Sequence, residues 1–178
     1  MDMFRTIRVA PVTPALADGV RALQVAPSQA AYVGDPAFNL ANALQDGYGE
    51  AMAVLAGDEV VGFYRLDFSP CAITGDLHPV ASVGIRAFLI DQRQQGQGAG
   101  AAAAIALCGD LALRHPLRRL ALLAVHCRNR AAVATYRKAG FVDTGRWLGG
   151  GIAGPQHVML RRLAPAAMFE CVGQSPHG

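Results

Sequence analysis

The stretch Arg93-Gln94-Gln95-Gly96-Gln97-Gly98-Ala99-Gly100 puts three glycines and an arginine where a strand-like run gives way to a helix-like one. Glycines let consecutive backbone N–H groups turn inward around an anion, and a helix beginning at Gly98 would add the positive end of its dipole. The chemistry implied is the cradling of a pyrophosphate, with Arg93 available to offset its charge. A glycine-rich turn into a helix is equally often a plain tight connection, so the residues after the glycines carry weight. A Walker A loop needs Gly-Lys-Ser/Thr at the helix start, and here Gly98 is succeeded by Ala99 and Gly100. Gly96-Gln97-Gly98-Ala99-Gly100-Ala101 satisfies the loose dinucleotide pattern, but the next strand closes on Val125-His126-Cys127-Arg128 with no acid to hold a ribose. Nucleotide hydrolysis and hydride transfer both lose their support.

A second constellation lies further along the chain: Asn129-x-x-Ala132-x-x-x-Tyr136-x-x-x-Gly140-Phe141. Tyr136 stands one helical turn after Ala132; a helical tyrosine either fills the core with its ring or offers its hydroxyl as a proton donor. Asn129 suits the N-cap of that helix.

The elements that must position these residues can be outlined from periodicity and punctuation. Thr6 to Ala10 is a short strand. Thr13-Pro14 opens a helix carrying Leu16, Val20 and Leu23 on one face, and Asp35-Pro36 opens another with Phe38, Leu40, Ala41 and Leu44, ended by Asp46-Gly47. Ala51 to Leu55 and Val60 to Phe68 form an antiparallel pair across Gly57-Asp58. Ala81 to Ile90 is a strand, Gly98 to Arg114 an alanine-rich helix closed by His115-Pro116, and Leu120 to Val125 a buried strand. Asn129 to Ala139 is a helix stopped at Gly140, and Phe141 to Leu148 and Gln156 to Leu163 are the last strands. The order β, α, α, β, β, β, α, β, α, β, β predicts an α/β (α+β) fold with a mixed sheet and helices on both faces.

With 178 residues, 52% of them hydrophobic and 16% charged, the chain fits one domain, residues 1–163, followed by an irregular tail over 164–178. Lys138 is the only lysine, and the arginines lie in ones and twos, so a net charge of +3 gives no basic stripe for nucleic acid. Cys71, Cys108, Cys127 and Cys171 show no metal-ligand spacing; reduced, mostly buried thiols and a cytoplasmic protein without a metal are expected. No apolar run is long enough for a bilayer.

The strand, Arg93-x-x-Gly96-x-Gly98 and helix arrangement resembles motif A of the GNAT acetyltransferases, and the Asn129 to Phe141 pattern resembles the second half of that family's signature. The resemblance implies a mostly antiparallel sheet of about seven strands, with a splay between strands four and five that admits the pantetheine arm of acetyl-CoA. It implies cofactor contacts from Leu89, Ile90, Arg93, Gln94, Gln95, Gly96, Gln97, Gly98, Ala99, Asn129, Ala132 and Tyr136. An amine attacking a thioester passes through an oxyanion and expels a thiolate, so an oxyanion donor and an acid are needed; Tyr136, on the face the family turns toward its cofactor, is the expected acid. For the base, His126 at a strand end comes first, with Glu50 and Asp67 behind it, each also readable as an ordinary structural group. Gln29, Tyr32-Val33, Leu40-Ala41, Gly62-Phe63 and Phe88 to Arg93 resemble the bacterial spermine/spermidine acetyltransferase branch. That branch often has an Asp-Arg pair ahead of the phenylalanine where this chain has Arg86-Ala87, a change unfavourable to a polycation. The acceptor is therefore expected to be a small primary amine, a polyamine among them. A peptide amine, an aminoglycoside or a non-catalytic acyl-CoA sensor are the alternatives. The family also implies a homodimer, formed around Trp147 and Phe169.

Overall fold

Gly57 and Asp58 make a two-residue turn between β2 (Gly49–Ala56) and β3 (Glu59–Asp67), with Ala56 opposite Glu59. Gly57 takes φ +63°, as such tight hairpins require. In the computed structural model, which describes residues 6–149 and 154–164, this hairpin belongs to a seven-stranded sheet. The spatial order is β1 (Ile7–Pro11), β2, β3, β4 (Ser82–Ile90), β5 (Leu120–His126), β7 (Gln156–Arg162) and β6 (Val142–Leu148). Every neighbouring pair is antiparallel except β4 and β5.

Side chains alternate along a strand, and β2 divides accordingly. Ala51 and Ala53 face a cluster with Val20, Leu23, Leu40, Phe63 and Leu89, under α1 (Pro14–Arg21) and α3 (Pro36–Gln45). Met52 and Val54 face the larger cluster, with Leu107, Leu111, Leu123, Phe141 and Met159, under α4 (Ala99–Arg114) and α5 (Arg130–Lys138). The buried positions of α4, namely Ala103, Ala104, Leu107, Cys108 and Leu111, obey helical spacing, and full burial of each leucine contributes roughly 1.5–3 kcal/mol. The expected helical face of α3 is only partly right: Leu40 is buried, but Phe38 and Leu44 are exposed. Asp35 caps that helix, accepting from Phe38 N at 2.8 Å. A four-residue helix, α2 (Ala30–Val33), has no counterpart in the sequence reading because one turn is too short to show a period.

The sheet opens beside β4. Only Ser82 to Ile85 pair with β5, opposite Leu120 to Leu123. On the other side of β4, Leu89 faces Phe63 but Arg86 faces Arg65, so three steps on β4 match two on β3. This is a β-bulge, and Ala87 absorbs the extra residue at φ +50°, a left-handed conformation that costs a non-glycine residue about 1–2 kcal/mol. The bulge leaves Ala87 packed on the α1/α3 side and Phe88 on the α4/α5 side. Past Ile85, the β5 residues Ala124 to His126 pair with β7 alone. A wedge therefore opens between the two parallel strands, as expected for strands four and five.

Candidate active site

The glycine loop is anchored by Asp91, whose side chain is 1% exposed. Its Oδ1 accepts from Arg93 N at 2.9 Å and Arg93 Nε at 2.8 Å; its Oδ2 accepts from Arg93 Nη2 at 2.9 Å and Gln24 N at 3.0 Å. The hydrogen bond from the Arg93 side chain, with further backbone bonds and its charge, outweighs burial and holds the Asp91 pKa down to about 2. Gln95 Nε2 donates to Ile90 O at 2.8 Å and to Gln29 Oε1 at 2.9 Å, and Gln92 N donates to Gln24 O at 2.8 Å. The loop is thereby tied to the segment between α1 and α2.

Beyond this anchor the backbone is open. Gly96 and Gly98 take φ +77° and +81°, and no heavy atom lies within 4 Å of where a Cβ would stand on either. Gly98 is the N-cap of α4 and supplies no side-chain hydrogen bond, so the first-turn amides, which have no partner inside a helix, remain available to an anion. At Gly100 a Cβ would lie 3.1 Å from Thr135 Cγ2; the missing side chain lets the start of α4 approach α5 closely.

Two cavities flank the wedge. The first, about 310 Å³, runs from Gly96, Gly98 and Gly100 past Leu89 and Ile90 to Tyr136. The second, about 230 Å³, is bounded by Tyr32, Ile73, Arg86, Ala124, His126 and Gln156. Val33, Phe88, Asn129, Ala132 and Tyr136 line both, so these five residues form the passage between them. Asn129 caps α5, its Oδ1 accepting from Ala132 N at 3.2 Å. Tyr136 is held edge-on between Phe88 and Phe141, each ring centroid 5.7 Å away. Burial pushes its hydroxyl pKa above the ordinary value, which keeps it a proton donor at neutral pH. His126 lies against Tyr32, centroids 5.1 Å apart, and its Nδ1 is buried without a hydrogen-bond partner among the described residues.

Of the candidate residues in the sequence, Leu89, Ile90, Gln95, Gly96, Gly98, Asn129, Ala132 and Tyr136 line the first cavity, and His126 lines the second. Arg93, Gln94, Gln97 and Ala99 line neither; the Arg93 guanidinium is engaged by Asp91. Glu50 and Asp67 do not stand where a base would have to. Glu50 is paired with Arg114 at 2.8 Å and Asp67 with Arg86 at 2.7 Å, and neither lines either of the two cavities. Gln29 and Val33, which in the sequence are only marks of resemblance, reach the first cavity through α2 and its approach, while Thr135 and Ile73 carry no sequence signal at all. Among the described residues no cluster could hold a metal ion, and no helix is long and apolar enough to cross a membrane. Cys71 is exposed, against the expectation of burial, while Cys108 is buried and Cys127 intermediate; Cys171, Phe169 and the tail from residue 165 lie outside the described residues.

No curated protein sequence matches the chain. Solved structures do. AAC(6')-Ib bound to paromomycin and acetyl-CoA superposes with a TM-score of 0.71 at 16% identity, covering 88% of this chain and 93% of that one. Spermidine N-acetyltransferase from Vibrio cholerae, bound to CoA and spermine, gives 0.66 at 14% identity, covering 89% and 96%. RimL, a ribosomal alpha-N-protein acetyltransferase, gives 0.61 at 16% identity, covering 89% and 94%. At these identities the likeness is one of fold. The family model described as acetyltransferase (GNAT) family matches residues 18–141, a span that includes the bulged β4, the glycine loop and Tyr136, and the chain belongs to that family.

Proposed function

We propose that the protein transfers an acetyl group from acetyl-CoA to the primary amine of a small molecule, by direct attack of the amine on the thioester. The observation that carries this is the position of Tyr136 in the passage shared by two cavities. One cavity ends in open backbone amides suited to a pyrophosphate; the other, across that passage, suits an acceptor. A C–N bond forms as the C–S bond breaks, and the Tyr136 hydroxyl gives its proton to the departing sulfur. The acceptor's own proton leaves toward His126, the one imidazole lining the second cavity among the described residues. Leu89, Ile90, Gln95, Gly96, Gly98, Asn129 and Ala132 hold the donor, and Arg93 fixes the loop through its ion pair with Asp91.

A cytoplasmic site of action and a homodimer complete the proposal. The dimer rests on the family resemblance and on the exposed Val142 and Trp147 of the edge strand β6.

The test is thiol release from acetyl-CoA against polyamines, amino acids, an aminoglycoside and a peptide with a free N-terminus, with Tyr136→Phe alongside. Release that requires one class of amine, and a kcat about 10²-fold lower in the variant with acetyl-CoA affinity retained, is the expected result. Calorimetric binding of acetyl-CoA without release on any amine would instead favour a sensor.

A further inference from the structure

Granting the proposed acetyl transfer, we propose that the acceptor amine also carries an anionic oxygen group, carboxylate or phosphate, received by the Arg86 guanidinium. The bulge that opens the wedge lies next to this residue: Arg86, paired with Arg65, is the last β4 position in register before the bulged Ala87 and Phe88, and all three line the second cavity. Arg86 Nε donates to Asp67 Oδ2 at 2.7 Å. Its two Nη groups have no partner among the described residues, and the side chain is 45% exposed.

Asp67 orients this guanidinium without competing for its outer edge. Its Oδ1 is taken by Ser69 N at 3.0 Å and Ser69 Oγ at 2.6 Å, and its side chain is only 12% exposed. Burial opposes its charge, but the Ser69 and Arg86 hydrogen bonds prevail and hold its pKa below the ordinary value. What Arg86 offers the cavity is therefore a donor-only edge, the geometry that receives a carboxylate or phosphate in paired hydrogen bonds.

The rest of the lining agrees. No aspartate or glutamate lines the second cavity among the described residues; besides Arg86 its polar side chains are Tyr32, His126, Asn129, Tyr136 and Gln156. A polyamine or aminoglycoside would bring several positive charges to a wall that has one cation and no anion, an unfavourable pairing. At about 230 Å³ the space also falls below the roughly 300–1,000 Å³ of pockets for drug-sized ligands, and an amino-acid-sized acceptor suits it better than an aminoglycoside.

The experiment compares matched acceptors on the wild-type protein: amino acids against their carboxamides, and phosphoethanolamine against ethanolamine, alongside spermidine. The expected result is that kcat/KM for one anionic member exceeds that of its neutral partner by about tenfold or more, with spermidine poorer still. Arg86→Gln is expected to erase that ratio through KM. Which matched pair shows it identifies the carboxylate or the phosphate. If acids and amides are equal, if spermidine is preferred, or if Arg86→Gln lowers both members together and keeps their ratio, this inference is overturned while acetyl transfer stands. Absence of release with every amine overturns the transfer reading and takes this one with it.

Discussion

The two cavities beside the wedge are built in opposite ways. The first presents backbone at one end: Gly96, Gly98 and Gly100 have no side chains to interpose, and the uncapped start of α4 is its candidate anion site. The second presents side chains drawn from α2, the 68–81 connection, β4, β5, α5 and β7. A backbone site recognises what all its users share, on the proposed reading a pyrophosphate, whereas a side-chain site recognises what differs between them. Substitutions at residues that line only the first cavity should therefore change donor affinity alone, and those at residues that line only the second acceptor use alone. Val33, Phe88, Asn129, Ala132 and Tyr136, lining both, couple them.

The largest effect that can break this division is expected at His126. It lines the second cavity only, so His126→Gln should lower kcat/KM for the acceptor by about 10²-fold, the usual size of a lost proton acceptor. Acetyl-CoA affinity, measured by calorimetry, should stay within about twofold, since no donor contact is removed. A variant that loses acetyl-CoA binding instead would show that the two cavities are not separate in function.

Asp91 tests whether the first cavity depends on its anchor. A carboxyl held at about 2, against an ordinary 3.8, contributes about 2 kcal/mol, each tenfold change in proton affinity being worth roughly 1.4 kcal/mol. Because the pKa is depressed, that contribution is complete above pH 3.8 and is lost as the pH falls through about 2. Asp91→Asn should thus be less stable than wild type by about 2 kcal/mol at pH 7 in urea unfolding, with about half of the gap gone at pH 3. A gap that does not narrow with acid would mean that the hydrogen-bond geometry, and not the charge, holds the loop.

The same contrast explains what is legible in the sequence. The Gly57-Asp58 turn, the alanine-rich α4 and the Arg93 to Gly100 loop are local devices, fixed by residues adjacent in the chain, and they stand where periodicity and glycine spacing put them. The cradle can be read because backbone conformation leaves glycine as its trace. The second cavity cannot: Tyr32, Ile73, Arg86 and Gln156 meet only through the sheet, and no spacing encodes that. Glu50 shows the converse failure. As an acid near the right strands it is a reasonable base, but Arg114, at the far end of α4, holds its Oε2 at 2.8 Å. The β4 bulge lies between these cases. Its Ala87 at φ +50° carries no glycine to announce it, so the wedge is foreseeable through family resemblance and not from the residues themselves.

Gly98 gives the smallest and most discriminating test. Its φ of +81° disfavours any residue with a Cβ by about 1–2 kcal/mol, yet the space around that Cβ is empty, so Gly98→Ala acts through conformation and not through a clash. If the left-handed turn is needed only to aim the amides, the folded protein can relax it, and the strain is felt when the donor binds. Acetyl-CoA affinity should then fall about tenfold, an amount equal to about 1.4 kcal/mol, with little change in melting temperature or in acceptor KM. A drop in melting temperature at unchanged affinity would mean the turn serves the α4 start and not the pyrophosphate. The first cavity would then owe its anion site to the helix terminus, and the contrast between backbone and side-chain recognition would shrink to the difference between one helix end and one arginine.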